Sequence, residues 1–340
     1  MNNNMEKYEK LLNQHFKKEN LKPLQKNIIK TIIDENKDCL SILSTGYGKS
    51  ICYQLPRFIM NKSVIIISPL ISLMEDQKNK LEKNNIEVCC LNSNLNYDEK
   101  YKIKNKLLKD NPMIVYTTPE YFNQNLGFIQ DLDKKNMLGL IAIDECHCIS
   151  QWGNDFRPEY QKLNCIKDIC KKIPILALTA TATKDVQNDI IRTIFKEKPI
   201  IVKSTFDRPN LKIIVNQKKD IQNDICPLIE NNINKKIIIY TRTRIESENI
   251  YKLIKKLGIK CGIYHAGLDD KVRYSVQQDF IKGEINCIIA TIAFGMGIDQ
   301  NINLVIRYGM STDIESYYQE IGRAGRDNSV SECYLFYNYV

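Results

Sequence analysis

The 340-residue chain has no C-x-x-C pair among its twelve cysteines, no apolar run approaching the ~18 residues of a membrane span, and no repeat or low-complexity tract. Each absence closes a class. Most cysteines, Cys89, Cys90, Cys261 and Cys287 among them, sit inside apolar segments. That suits buried free thiols in a reducing compartment better than a disulfide framework or a zinc module. Cys146 and Cys148 flank His147, but close neighbours on a strand end do not easily converge on one tetrahedral ion. The N-terminus, with Asn2, Asn3 and Asn4 before Glu6, Lys7 and Glu9, lacks the apolar core of a signal peptide. The expectation is a soluble intracellular protein with no membrane partner, nucleus and cytoplasm being indistinguishable.

The apolar fraction is 43% and the charged fraction 26%, ordinary values for a folded chain. The length exceeds what one core usually organises, so with roughly 150 residues per domain two domains are expected. Lys and Arg number 49 against 40 Asp and Glu, a formal net of +9. This mildly favours a polyanionic partner, although AT-rich coding for Lys, Asn and Ile gives the same surplus.

Short β-branched runs at 39–43, 64–68, 113–117, 138–143 and 175–178 alternate with amphipathic stretches, and a second series follows at 236–240, 261–264, 286–290, 304–308 and 332–336. Continuous apolar runs suit strands buried on both faces, so the reading is α/β, with two mostly parallel sheets in sequence flanked by helices. The polar stretch 204–210 around Pro209 marks the boundary and divides 1–207 from 208–340. The first fifteen or so residues read as a polar helix leading into the first domain.

After the first strand come Ser44, Thr45, Gly46, Tyr47, Gly48, Lys49 and Ser50, and then a helical stretch. Glycine lets backbone N–H groups turn toward phosphate oxygens, Lys49 can reach the outer phosphates, and the Ser50 hydroxyl can ligate magnesium. Leu43 stands at the first glycine position of the full G-x-x-x-x-G-K-[ST] pattern, so an ordinary glycine turn stays open for this loop alone. Asp144 and Glu145 follow a strand at its carboxyl edge. Two adjacent carboxylates can divide the labour, the first holding magnesium through water and the second orienting or deprotonating the attacking water. A surface acidic pair is the plainer alternative. Near the end Arg323 and Arg326, three apart, would share one helical face and could reach a γ-phosphate; a solvated basic helix fits the spacing as well. Trp152, Phe156 and Arg157 share a polar segment suited to stacking on bases or holding phosphate.

Together these residues resemble the superfamily 2 helicases, and specifically the RecQ family of DNA helicases. The resemblance covers nearly the whole chain and rests on STGYGKSICYQLP (44–56), ISPLISLMEDQ (67–77), DECHCISQWGNDFRPEY (144–160), ALTATAT (177–183), FDRPN (206–210), YHAGL (264–268), ATIAFGMGID (290–299) and YYQEIGRAGRD (317–327). It implies two tandem RecA-like domains using ATP and Mg2+, with 3′ to 5′ motion along single-stranded DNA and action on tailed or forked duplexes in repair, recombination or replication. By motif it implies ATP-binding roles for Gln25, Thr45, Gly46, Gly48, Lys49, Ser50, Gly297 and Asp299, with Gln25 reading the adenine edge. Lys49, Asp144, Glu145, Gln319, Arg323 and Arg326 would serve catalysis, with magnesium at Ser50 and Asp144. DNA contact and coupling would fall to Ser68, Thr118, Trp152, Phe156, Arg157, Thr179, Thr181, Thr241, Arg242 and Thr291. An RNA helicase of the related DExH classes and a nucleotide-gated binding module without motor activity are the rival readings.

Some positions depart from the family pattern. Asn154 replaces the histidine of the W-G-H-D motif, and Lys22 and Leu21 replace the usual arginine and phenylalanine of the adenine motif, with Lys18 where a tyrosine is expected. Lysine offers no planar fork. The chain stops at Val340, and the four-cysteine zinc module and winged helix of many relatives are not in it. The expectation is a minimal motor core or a piece of a longer protein, with weak duplex opening and a protein partner that supplies strand separation.

Overall fold

Isoleucine and valine runs too short for helices become the central strands of two parallel sheets. A computed structural model describes residues 2–109, 111–152, 155–292, 294 and 300–338. The chain divides into two units, 1–205 and 206–340. In the first unit the strands are β1 (Cys39–Ile42), β2 (Ser63–Ile67), β3 (Val88–Leu91), β4 (Ile114–Thr117), β5 (Leu138–Ile143), β6 (Ile175–Thr179) and β7 (Ile200–Lys203). They form one sheet in the order β3-β4-β2-β5-β6-β1-β7, with every pairing parallel.

Side chains alternate across a strand, and here both faces are covered. Val64, Ile66, Leu140, Ala142, Leu176 and Leu178 bury into one cluster, while Ile65, Ile67, Ile141, Ile143, Ile175 and Ala177 bury into the other. Each such isoleucine or leucine contributes about 1.5–3 kcal/mol by leaving water. The N-terminal helix Asn2–Phe16 is less polar in effect than its sequence reads. Tyr8 and Leu12 form a buried cluster with Leu21, Ile29, Ile51 and Leu55, so the helix packs on the segments that follow Leu21 and Lys49.

The second unit holds β8 (Leu211–Gln217), β9 (Ile237–Thr241), β10 (Cys261–Tyr264), β11 (Cys287–Ala290), β12 (Leu304–Tyr308) and β13 (Ser331–Tyr337). Their order is β10-β11-β9-β12-β13-β8, again with parallel pairings. It also has two faces, one around Ile238, Ile288 and Val305 and one around Ile239, Ile289 and Ile306. Strands β3, β7 and β8 are absent from the sequence expectation, and all three lie at sheet edges. Among the described residues no helix is long and apolar enough to cross a membrane. Nor does any group of three or more His, Cys, Asp or Glu side chains there form a metal site.

Candidate functional site

Because the first sheet is parallel, every strand ends at the same edge, where ligands of open α/β sheets bind. The loop after β1 carries Gly46 at φ 83° and Gly48 at φ 93°. An L side chain at Gly48 would be strained and would also collide, since a Cβ there would lie 2.7 Å from Gln25 Nε2. The Gln25 amide holds the loop: its nitrogen donates to the Gly48 carbonyl at 2.9 Å and the Tyr47 carbonyl at 3.3 Å, and its oxygen accepts from the Lys22 N–H at 2.9 Å. Here Gln25 acts as a brace for the glycine loop. The Lys22 ammonium sits 5.0 Å from the Tyr47 ring centroid, a cation–π contact that lysine makes without a planar fork. Lys49 and Ser50 open the helix Lys49–Gln54, and Lys49 Nζ donates to the Leu43 carbonyl at 3.3 Å. Ser204, from the stretch read as a boundary, accepts from the Ser44 N–H at 3.0 Å. These donors, the two left-handed glycines and the loop-to-helix turn match the needs of a nucleotide phosphate chain.

Asp144 and Glu145 follow β5, which lies two strands from β1. The Asp144 carboxylate accepts from the Glu145 N–H at 3.1 Å and the Tyr53 hydroxyl at 3.4 Å, and Tyr160 OH donates to the Asp144 carbonyl at 3.0 Å. Burial and the adjacent Glu145 charge push the Asp144 carboxyl up to about 7, while Lys49 and these hydrogen bonds pull the other way. Glu145 has φ 49° and ψ 45°, a left-handed conformation that costs a non-glycine residue about 1–3 kcal/mol.

His147 Nδ1 lies 3.4 Å from Glu145 Oε2 and 2.9 Å from Thr179 Oγ1. The Thr179 hydroxyl also donates to the Thr181 carbonyl at 2.9 Å. Burial lowers the His147 pKa, against the opposing pull of Glu145 and Asp155. The carboxylate of Glu145 is thereby linked through one imidazole to the segment carrying Thr179 and Thr181. His147 entered the sequence reading only as a metal candidate. Its neighbours Cys146 and Cys148 point into the core, where burial raises both thiols.

Ser68 and Thr118 follow β2 and β4, on the side of the sheet edge away from β1. Ser68 Oγ is buried and has no hydrogen-bond partner among the described residues. Thr118 Oγ1 caps the helix Pro119–Gln124 by accepting from the Tyr121 N–H at 3.3 Å. Trp152 is 79% exposed, and Phe156 is half-buried. The loop's near end is anchored because Ser150 Oγ donates to Asp189 at 2.6 Å and accepts from the Trp152 N–H at 3.2 Å. Arg157 donates to the Pro69 carbonyl at 2.5 Å and pairs with Asp155 at 3.2 Å, which ties the aromatic segment to the turn after Ser68. Asn154 lies outside the described residues.

In the second unit the Thr241 hydroxyl is turned inward, 2.5 Å from Ser247 Oγ and donating to the Thr243 carbonyl at 3.1 Å. Arg242 is exposed and Thr291 half-buried. Gly297 and Asp299 lie outside the described residues. Gln319 is on the helix Ile314–Ile321, whose C-cap is Gly322. Arg323 and Arg326 therefore lie beyond the helix, in a turn, and do not share a helical face. Glycine explains the difference, since Gly325 has φ 53°. A Cβ there would lie 2.4 Å from Asn210 Nδ2 and 2.6 Å from the Ser329 carbonyl. The turn is clamped by residues the sequence reading placed at the boundary: Arg208 Nη2 donates to the Ala324 and Gly325 carbonyls at 3.0 Å each, and Asn210 Nδ2 donates to Gly325 at 2.9 Å and Ser329 at 3.0 Å. The helix bearing Gln319 is tied to β12 by a buried ion pair, Arg307 to Glu320 at 3.1 Å.

The family model described as DEAD/DEAH box helicase matches residues 22–189, and that of the helicase conserved C-terminal domain matches 219–328. A protein of Acanthamoeba polyphaga mimivirus, named as a candidate ATP-dependent RNA helicase, is 43% identical over 335 residues, 98% of this chain and 61% of that protein. The ATP-dependent DNA helicase RecQ of Bacillus subtilis is 40% identical over 332 residues, 96% of this chain and 56% of that protein. The chain thus spans about three-fifths of these relatives. Among solved structures, the helicase MrfA bound to DNA matches with a TM-score of 0.78 at 18% identity, over 100% of this chain and 52% of that one, a likeness of fold.

Proposed function

The chain belongs to the RecQ family of helicases, and on that premise we propose that it is an ATP-dependent 3′ to 5′ DNA helicase or single-strand translocase acting in repair, recombination or replication. The observation that carries this reading is the arrangement at one sheet edge. The glycine loop with Lys49 and Ser50, the acidic pair Asp144 and Glu145, and the His147 link to Thr179 and Thr181 all meet there. Lys49 and the loop N–H groups would hold the outer phosphates. Mg2+, when bound with ATP, would supply Lewis-acid stabilisation beside Ser50 and Asp144. Glu145 would orient the attacking water, and its contact with His147 would pass the state of the site to the Thr179 segment. Arg323 and Arg326 would meet the γ-phosphate, by the family pattern, and Gly297, Asp299 and Gln319 would complete the second unit's nucleotide face. Exposed Trp152 suits base stacking. Tailed or forked duplexes would be the substrates, in an intracellular, reducing compartment that keeps the free thiols reduced. A protein partner or further domain would strengthen strand separation.

The test is steady-state ATP hydrolysis with magnesium, with and without single-stranded DNA or RNA, followed by unwinding of a 3′-tailed duplex. DNA should stimulate more than RNA; the reverse order would favour the RNA reading suggested by the mimivirus relative's name. Lys49→Ala should abolish hydrolysis and Glu145→Gln should leave ATP bound and uncut. Trp152→Ala should lose the stimulation by DNA, and an active Lys49→Ala variant would sink the nucleotide assignment.

A further inference from the structure

We infer that Tyr97 and Tyr101, with Lys100 and Lys104 beside them, form a stacking platform for single-stranded DNA on the first unit; the inference rests on the DNA reading above. The helix Tyr97–Leu107 is secured at its start by the reciprocal cap of Asn96 and Glu99, and it buries only Leu107. Its two tyrosines are 78% and 58% exposed. They stand one turn apart with ring planes 14° from parallel and centroids 6.2 Å apart, so they form one aromatic face turned to solvent.

Charge and position select the occupant. Four lysines lie on this helix, at 100, 102, 104 and 106, against Asp98 and Glu99 in its first turn; Lys106 pairs with Glu87, and the other three still outnumber the two acids. The ammonium groups of Lys100 and Lys104 lie 5.8 and 5.7 Å from the Tyr121 ring centroid. Tyr121 donates its N–H to Thr118 Oγ1. Lys100 and Lys104 thus reach from the tyrosine-bearing helix to the helix Pro119–Gln124, whose N-cap is the strand-end residue Thr118 after β4. Exposed aromatic rings beside ammonium groups suit unpaired bases on a phosphate chain, because every base has a π-face while a duplex hides those faces in its stack. A single strand held near Thr118 could continue onto Tyr101 and Tyr97.

Binding of an oligothymidylate of about 8 nucleotides and one of about 20, by fluorescence anisotropy on the full chain, tests this, since site sizes of this class run to ~16 nucleotides. The double variant Tyr97→Ala, Tyr101→Ala should bind the longer strand at least about five-fold more weakly. It should leave the shorter strand within about two-fold, and Tyr97→Phe with Tyr101→Phe should retain wild-type binding. Replacing Lys100 and Lys104 by Gln should flatten the salt dependence of the longer strand by about one unit of slope. Unchanged binding of the longer strand by the alanine variant overturns the platform and leaves the face to a protein partner. Equal weakening of both strands, or equal loss in the phenylalanine variant, overturns it too. A wild-type chain that binds neither strand defeats the DNA reading itself, an outcome distinct from these.

Discussion

Asp144 shows how much of a candidate site residue's behaviour is set by what covers it. The acidic pair was legible because two adjacent carboxylates at the end of an apolar run are conspicuous in one dimension. Tyr53 and Tyr160, which hydrogen-bond to Asp144, were not, because their contacts exist only once the chain has folded back. Burial and Glu145 raise the Asp144 pKa from 3.8 to about 7. An acid whose folded pKa lies above its unfolded value destabilises the fold progressively as pH rises from the unfolded value to the folded one, and the penalty is constant above both. In magnesium-free buffer, Asp144→Asn should therefore raise thermal stability by an increment that grows between about pH 4 and pH 7 and then levels off. Calorimetric melting of both proteins across that range checks it, and an increment that does not change with pH would refute the assignment. Glu145 presents a related case: its left-handed φ of 49° is visible only in the structure.

At the scale of elements, every central strand was readable, while of the four edge strands only β10 was. A strand covered on both faces must be apolar throughout, and β2, β5, β9 and β12 are buried at every residue. The edge strand β7 buries only Val202, and no residue of β8 is fully buried; their apolar runs, 200–202 and 213–215, are three residues long and are flanked by Lys203 and by Lys212 and Asn216. The helix Ile314–Ile321 illustrates a second limit. Arg307 and Glu320, thirteen residues apart and on different elements, pair at 3.1 Å while 2% and 5% exposed, a contact that exists only once the chain has folded. Arg307 also donates to the carbonyls of Gly309 at 3.0 Å and Met310 at 2.8 Å. Removing one partner leaves a buried charge uncompensated, so Arg307→Ala should destabilise the second unit by ~3–5 kcal/mol. Urea unfolding that shows less than ~1 kcal/mol of loss would mean that water reaches the pair.

For the whole molecule, the two units carry separate cores: residues of 1–205 fill one set of clusters and residues of 206–340 another. The resemblance of the sequence placed catalytic groups in both, with Lys49, Asp144 and Glu145 in the first unit and Gln319, Arg323 and Arg326 in the second. A stretch of 1–205 expressed alone keeps its seven-stranded sheet, both covering layers and the complete Gln25 brace on the glycine loop. It should fold without the second unit, and it should retain nucleotide binding. It would lack the arginines, and a positioned arginine at a γ-phosphate is worth about 10³–10⁵ in rate. Hydrolysis by 1–205 should therefore fall by at least ~10³ relative to the full chain with single-stranded DNA, while affinity for a non-hydrolysable ATP analogue changes far less. The Arg323→Ala and Arg326→Ala variants of the full chain should show the same separation of binding from turnover. A fragment that hydrolyses ATP at the full-chain rate would show that the first unit holds the entire catalytic apparatus, and the roles given to Arg323 and Arg326 would then be wrong.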